Sequence, residues 1–515
     1  MIENPIAGLA RPTLAKIVAT IGPASDSPEM VAKLIRAGVC VFRLNFSHGM
    51  LADHERRVAT IRKAAAELGQ PTAIMGDLQG PKIRVGVMPE PVTLSPGQEV
   101  VFACRESDRF ARSPDTVRLP SDYAALAEEV HPGHRVLIND GAVRLLAVDR
   151  ETEDSNSVLR CRVTLGGVVS SKKGINLPDS DVQARAITEQ DWRHVEWAVA
   201  HGLDFLALSF VRKAAEVIEL RKALQGMCPI DHAQDAAGAG ALIPVIAKIE
   251  KPQALDEIDA IVEAADGIMV ARGDLGVEMD LAEVPLVQKR LIAKCDEWGK
   301  PCIVATQMLE TMIENASPTR AEVSDVANAI LDGADAVMLS AETASGKHPA
   351  LAVETMRRVV AAAERKLADS SAAPSPAARL IKSRYRTAAL AHGAWHVAHD
   401  VGAKLVACWS QEGGAARYLS QTGMSIPIVA YSSDERQVRR MALLRGVTAR
   451  RMDVPACGTL SEWNVRVEND LLALGWVQPG DPIVLVAGKP LGVKGATCSL
   501  AIHYTGNSAT GYMRV

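Results

Sequence analysis

Aromatic side chains are scarce in this chain: Phe, Tyr and Trp together make up 4% of it. That excludes the stacking platforms on which single-stranded nucleic acids bind. A surplus of charge is also missing. Lys and Arg total 57 against 61 for Asp and Glu, a net charge of −4, so neither nucleic acid nor an anionic membrane is an expected partner. No run reaches the roughly 18 uncharged apolar residues of a membrane span. Residues Met1 to Arg11 lack the basic start and apolar core of a signal peptide, which predicts a cytoplasmic protein. The nine cysteines include no CxxC pair and read as reduced thiols, with the nearest two, Cys295 and Cys302, as packing residues. The common nucleotide cradles are absent too. Gly346-Lys347 and Gly488-Lys489 lack the Ser/Thr and spacing of a GxxxxGK[ST] loop, no GxGxxG follows a strand, and neither a His-rich zinc signature nor a GxSxG elbow occurs.

What is there is a chain of 515 residues, 48% hydrophobic and 23% charged, enough for several globular domains. Short β-branched apolar runs recur at Ala15–Gly22, Val39–Ser47, Pro71–Gln79, Asp204–Val211, Ile243–Glu250, Asp266–Asp274, Pro301–Met308 and Asp335–Glu342. Between most of them the spacing is helical, as in Asp26–Ala37, Leu51–Leu68 and Pro318–Leu331, the last with Ser317 as expected N-cap and Pro318 at the first helical position. Eight alternations of strand and helix predict parallel βαβ units closed into a (β/α)₈ barrel.

These runs begin apolar and end polar. They finish in Arg43, Asn45 and Ser47; in Asp77; in Ser209; in Lys248 and Glu250; in Arg272 and Asp274; in Thr306; and in Ser340 and Glu342. A (β/α)₈ barrel gathers its chemistry at the C-terminal ends of its strands. Side chains two apart on a strand share a face, so Arg43 with Asn45 and Ser47, Lys248 with Glu250, and Arg272 with Asp274 are expected to point together. One such charge alone reads as a solvated rim; this many on one rim reads as a site.

Residues 85–183 interrupt the alternation with Val-, Gly- and Pro-rich short runs (Val92–Leu94, Val100–Ala103, Arg135–Ile138, Val158–Leu165), an inserted small all-β domain placed as a lid. Residues 228–241 read as a surface loop and 369–378 as a linker. Beyond it, strands at Lys404–Ser410, Pro427–Ser433 and Pro482–Gly488 alternate with helices at Ser383–Asp400, Glu435–Leu444 and Ser461–Gly475, a doubly wound α/β domain over 379–515. The barrel then comprises 1–84 and 184–368.

Eight segments carry a family resemblance: KIVATIGPAS at 16–25, FRLNFSHG at 42–49, GDLQGPKIRV at 76–85, SKKGINLP at 171–178, IAKIE at 246–250, MVARGDLGVE at 269–278, ATQMLETM at 305–312 and SPTRAEVSDVANAILDGADAVMLSAETA at 317–344. In order and interval the chain resembles the pyruvate kinases, across nearly the whole barrel and more weakly in the C-terminal domain. The resemblance implies phosphoryl transfer from phosphoenolpyruvate to ADP, giving pyruvate and ATP, the final step of glycolysis. It implies Mg²⁺ or Mn²⁺ held by Glu250 and Asp274 and a catalytic Lys248. It further implies Arg43 on the phosphoryl group, Gly273 and Ser209 beside the substrate, and Thr306 and Ser340 near the enol, with the proton donor open between them. Pro23, Asn45, His48, Arg84 and Lys173 match positions that approach the nucleotide, although Lys172 competes with Lys173. A homotetramer is implied as well.

The chain departs from that pattern twice. Many members read Asp-Thr-Lys-Gly-Pro-Glu after the third strand and hold K⁺ among residues matching Asn45, Ser47 and Asp77; here the run is Asp77-Leu78-Gln79-Gly80-Pro81-Lys82. A hydroxyl is lost at Leu78 and an ammonium gained at Lys82, which predicts activity without K⁺. In the C-terminal domain, family members bind a phosphorylated effector in a Thr/Ser-x-Ser-Gly turn. Here Ser410, Glu412, Gly413 and Gly414 occupy it, with Lys489 and Lys494 on a later loop, and the Glu412 carboxylate disfavours the usual bisphosphate. The competing readings are another phosphoenolpyruvate- or pyruvate-handling barrel, such as an aldolase or mutase, and a silent scaffold on the same fold. The former lacks the inserted domain and the segments at 42–49 and 76–85. The latter is opposed by the presence of Arg43, Lys248, Glu250 and Asp274 together.

Overall fold

In the computed structural model, residues 13–103, 110–113, 115–153, 156–227, 242–368, 385–455, 459–493 and 495–506 are described. The loop expected at 228–241, the linker at 369–378 and Lys494 lie outside them.

All eight expected barrel strands form: β1 Lys16–Thr20, β2 Val39–Asn45, β3 Ala73–Asp77, β4 Phe205–Leu208, β5 Val245–Ile249, β6 Gly267–Ala271, β7 Cys302–Ala305 and β8 Ala336–Leu339. They close in sequence order into an all-parallel barrel. Helices follow the strands in turn: α1 Pro28–Ala37, α2 Leu51–Glu67, α3 Glu189–Ala200, α4 Ala214–Met227, α5 Ile258–Ala264, α6 Val284–Trp298, α7 Arg320–Leu331 and α8 Pro349–Ala368. Local chemistry sets their ends. Ser27 caps α1 by accepting from Met30 N, with Pro28 in the first turn. The start of α7 corrects the sequence expectation: Thr319, not Ser317, is the N-cap. Glu322 stands three residues on and accepts from Thr319 N while Thr319 Oγ1 accepts from Glu322 N, and this reciprocal box outcompetes a lone serine.

Two apolar layers arise from the period-two alternation of the strands. Val18, Val41, Met75, Ala207, Ile246 and Met338 are among those that fill the barrel interior, while their neighbours Ile17, Leu44, Ile74, Leu206, Ile249 and Leu339 pack outward against the helices. Leu443, from the C-terminal domain, belongs to the interior cluster and closes the N-terminal end of the barrel. Two contacts beside it join the domains: Lys16 Nζ donates to Val447 O at 2.7 Å and Gly446 N to Leu14 O at 2.7 Å.

Between β3 and α3 the chain builds a seven-stranded sheet and a two-stranded ribbon pairing Val92–Leu94 with Gly167–Val169. They enclose a separate core that includes Val100, Phe102, Leu119, Val136 and Leu145. The outgoing and returning segments meet at an Arg84–Gly174 bridge. The C-terminal sheet has the order β11 (Val447–Arg451), β10 (Ile428–Ser432), β9 (Val406–Trp409), β12 (Pro482–Gly488), β13 (Thr497–Tyr504), with β13 alone antiparallel. One apolar cluster lies on each face of it, so the domain is doubly wound. The sequence reading missed β11 and β13. β11 ends in the charged pair Arg450-Arg451, and β13 is an edge strand with Ala501 and Ile502 exposed, so neither has the apolar run of a central strand. No helix among the described residues is long and apolar enough to cross a membrane.

Candidate active site

The inward face of each strand is apolar inside the barrel, and its next inward position reaches the rim. Val18 leads to Thr20, Val41 to Arg43, Met75 to Asp77, Ala207 to Ser209, Ile246 to Lys248 and Met338 to Ser340. Strand register sets these side by side, with Thr20 paired to Arg43 and Asp77 to Ala207. Strand geometry alone therefore delivers a ring of polar groups to one mouth.

Lys248 is at its centre. Its ammonium donates to Ser209 Oγ at 2.7 Å and to Asp77 Oδ1 at 3.1 Å, and stands 3.0 Å from Glu250 Oε1. Ser209 in turn donates to Leu78 O at 2.6 Å. Arg43 Nε donates to Asp77 Oδ2 at 2.5 Å and Nη1 to Thr20 Oγ1 at 3.1 Å. Burial alone would strip the charge from Lys248 and Asp77, but their charged neighbours keep both ionised. Burial pushes the Lys248 ammonium down, yet Asp77 and Glu250 together lift it above the usual lysine range. Burial pushes the Asp77 carboxyl up, and Arg43 with Lys248 bring it below the usual carboxylate range. Glu250 goes the other way: burial and the like charges of Asp274 and Asp77 raise it, against the pull of Lys248. A carboxylate destabilised in this way has a use for a further cation.

The donor set fits one. Glu250 Oε2 accepts from Phe210 N at 2.7 Å, which orients the carboxylate. Asp274, half-buried at the mouth, takes no hydrogen bond from any described residue. No group of three or more His, Cys, Asp or Glu side chains among the described residues is arranged to hold a metal. Glu250 and Asp274 would offer a hard divalent ion two carboxylates and leave its other positions to substrate and water, a pattern that suits Mg²⁺.

One expected pairing is corrected. Arg272 and Asp274 do not share a strand face, because β6 ends at Ala271 and the short helix Arg272–Glu278 begins there. Arg272 turns away from the mouth and braces the end of β7, donating to Thr306 O at 2.9 Å, Asp325 Oδ1 at 2.7 Å and Gln288 Oε1 at 3.2 Å. The segment it holds has positive φ at two non-glycine residues, Thr306 (+67°) and Gln307 (+54°), a strained backbone of the kind kept at functional sites. Thr306 Oγ1 accepts from Gly273 N at 2.7 Å, so Gly273 and Thr306 are in contact. Ser340 precedes a single helical turn, and its buried Oγ has no hydrogen-bond partner. Glu342 is a brace: it accepts from Ser340 N at 2.7 Å and from Leu309 N at 3.1 Å. Phe210, at φ +54° with its N–H on Glu250, was missed from the sequence, and no motif would have marked it.

The residues matched to the nucleotide divide between rim and lid base. Pro23 and His48 are exposed and Asn45 half-buried on the rim; Asn45 Oδ1 accepts from Ser47 N at 3.1 Å. Arg84 Nη1 donates to Lys172 O at 3.0 Å beside the Arg84–Gly174 bridge, and Lys172 and Lys173 are both exposed, so their order of merit is unchanged. The Lys82 ammonium has no hydrogen bond or ion pair among the described residues; its stem passes close to Gly174, where an added Cβ would stand 3.0 Å from Lys82 Cε. The Leu78 side chain is buried in the outer apolar layer and lacks the hydroxyl found at this position in many family members. In the C-terminal domain, Gly413 (φ +77°) opens the helix Gly414–Ser420, and Ser410 Oγ accepts from Ala416 N at 3.1 Å. Ser410, Glu412, Gly414, Gly488 and Thr497 line a cleft there.

The chain is similar to known proteins along most of its length. The family described as "Pyruvate kinase, barrel domain" matches residues 13–353, and "Pyruvate kinase, alpha/beta domain" matches 388–503. A pyruvate kinase of Mycobacterium intracellulare is 40% identical over 492 residues, covering 95% of this chain and 98% of that one. A pyruvate kinase of Corynebacterium glutamicum is 39% identical over 494 residues, 96% and 98% of the two chains. A pyruvate kinase of Geobacillus stearothermophilus is 39% identical over 492 residues, 95% of this chain and 80% of its own.

Proposed function

The chain belongs to the pyruvate kinase family, and from that premise we infer that it transfers the phosphoryl group of phosphoenolpyruvate to ADP, giving pyruvate and ATP at the end of glycolysis. The observation that carries this reading is the Lys248 ammonium, kept charged by Asp77 and Glu250 at the same mouth as the unpartnered Asp274 carboxylate.

Each residue has work to do in that reaction. Arg43, its Nε fixed on Asp77, presents guanidinium N–H groups to the phosphoryl oxygens. An oxygen of the ADP β-phosphate attacks phosphorus as the bond to the enol oxygen breaks. Lys248 stabilises the negative charge on the transferred group and then on the enolate oxygen. The enolate takes a proton at its methylene carbon and becomes pyruvate, with Thr306 and the free hydroxyl of Ser340 as the groups that deliver or relay it. Gly273 and Ser209 position the substrate. Pro23, Asn45, His48, Arg84 and Lys173 receive the nucleotide. Glu250 and Asp274 would hold Mg²⁺ or Mn²⁺, which would supply charge neutralisation to the substrate.

The enzyme works without K⁺ in this reading. Lys82 brings an unpaired ammonium to the neighbourhood, and the Leu78 side chain has no oxygen to offer an ion. Exposed Leu281 and Leu286 support assembly into a homotetramer. The six described cysteines, all free, support a reducing cytoplasmic setting. A phosphorylated effector remains the reading of the cleft at Ser410, Gly413 and Gly414 with Lys489; the Glu412 carboxylate opposes a bisphosphate there.

The test is pyruvate formation from phosphoenolpyruvate, ADP and Mg²⁺ in Tris buffer free of alkali cations, repeated with KCl. Activity changing less than about twofold on adding KCl is expected, since a tethered charge in place of an ion is already at its site. Activity only with KCl would refute independence from K⁺ and return Asn45, Ser47 and Asp77 to the role of ion ligands.

A further inference from the structure

The turn that leaves β3 is tied to the barrel by a carboxylate to which the reaction above gives no part. Asp191, fully buried, is the third residue of α3. Its Oδ1 accepts from Gln79 N at 2.9 Å and Gly80 N at 3.4 Å. Its Oδ2 accepts from Thr188 N at 3.0 Å and Thr188 Oγ1 at 2.7 Å. Thr188 closes the segment returning from the inserted domain, and Gln79-Gly80 opens the segment leaving for it. One carboxylate thus joins both crossings.

Helix capping accounts for the bonds to Thr188, because a Thr-x-x-Asp box needs no more. It does not account for those to Gln79 and Gly80, which lie 112 and 111 residues away in sequence. The turn they hold has little room. Gly80 adopts φ +70°, and a Cβ there would stand 2.7 Å from the Phe210 ring and 3.1 Å from Ser209 Cβ. Leu78 O accepts the hydroxyl of Ser209, which itself accepts from Lys248 Nζ. The backbone of 78–80 therefore sets the position of Ser209 and, through it, of the ammonium. One turn along α3, His194 stacks on Phe46 with ring centroids 4.7 Å apart, so the same helix also backs the Asn45–Ser47 loop.

We propose that Asp191 is a positioning residue for phosphoryl transfer: it pins the Leu78–Gly80 turn so that Ser209 and Lys248 stand in place at the mouth. The proposal rests on the phosphotransferase reading above. It is tested by steady-state kinetics of the full-length wild-type protein beside Asp191→Ala, Asp191→Asn and Thr188→Ala. Asp191→Ala lowers kcat on the order of 10²-fold, with KM for phosphoenolpyruvate within about threefold, because a displacement of about 1 Å costs that much in rate. Asp191→Asn recovers kcat to within about threefold of wild type, since an amide oxygen accepts from the same two N–H groups. Thr188→Ala loses the cap and some thermal stability but leaves the turn bonded, and its kcat stays within about twofold of wild type. Should Asp191→Ala not fold, Asp191→Ser keeps a polar group for the cap, falls one atom short of Gln79, and carries the same prediction. A wild-type kcat in Asp191→Ala or Asp191→Ser, a loss in Thr188→Ala equal to theirs, or failure of Asp191→Asn to recover overturns the proposal alone. An inactive wild-type protein overturns the reading of function beneath it.

Discussion

Lys248→Met lowers kcat by about 10² to 10³, the range for removing one preorganised group from developing negative charge. Methionine keeps the length of the side chain and its burial, so the change isolates the ammonium. Asp77 remains paired with Arg43 after the substitution, while Glu250 keeps only the N–H of Phe210. Glu250 is already raised by burial and by its like-charged neighbours, and without Lys248 it rises further. The loss of rate is therefore expected to deepen as the pH is lowered, because the carboxylate that holds the divalent ion protonates more easily. Turnover at saturating Mg²⁺ across a pH series separates the two effects: a fall that persists at high pH belongs to the ammonium itself. A rate within about threefold of wild type at every pH would remove Lys248 from the mechanism.

The second large effect is on stability. Asp204, fully buried at the start of β4, accepts from Ile74 N at 2.8 Å, Arg62 Nη2 at 2.7 Å and, from the C-terminal domain, Arg439 Nε at 2.9 Å. Asp204→Ala leaves two guanidiniums facing each other and a buried N–H of β3 without a partner. Both arginine side chains keep partial solvent access, at 25% and 22%, which tempers the cost to about 2–4 kcal/mol. Arg439→Ala removes only the contact across the domains and costs about 1 kcal/mol. Urea unfolding followed separately in barrel and C-terminal domain checks this. Equal and small losses in both variants would show that Asp204 does not join the domains.

Much of this was legible in the sequence because strand periodicity is blind to context. An inward Val41, Met75 or Ile246 is followed two residues later by Arg43, Asp77 or Lys248, and that alternation alone brings the rim together. What stayed hidden depended on backbone direction at strand ends. The change of β6 into a helix at Arg272 reverses where that side chain points, and nothing in Arg-Gly-Asp announces it. Positive φ at Phe210, Thr306 and Gln307 is held by neighbours far away in sequence, such as Arg272 on Thr306 O and Glu250 on Phe210 N. Thr319 won its helix over Ser317 through a glutamate three positions on, and the Thr-Arg-Ala-Glu run carries that signature in the sequence. Asp191 was available in the same way as the third residue of a Thr-x-x-Asp box, but its bonds to Gln79 and Gly80 required the fold.

The central claim is that this rim moves a phosphoryl group from phosphoenolpyruvate to a nucleoside diphosphate. Phosphorus NMR of the protein with phosphoenolpyruvate, ADP and Mg²⁺ tests it most directly, because each phosphorus atom is followed to its destination. The account predicts loss of the phosphoenolpyruvate resonance matched one for one by the γ-phosphate of ATP. An unchanged phosphoenolpyruvate resonance, or one converted to inorganic phosphate with ADP left intact, would contradict it.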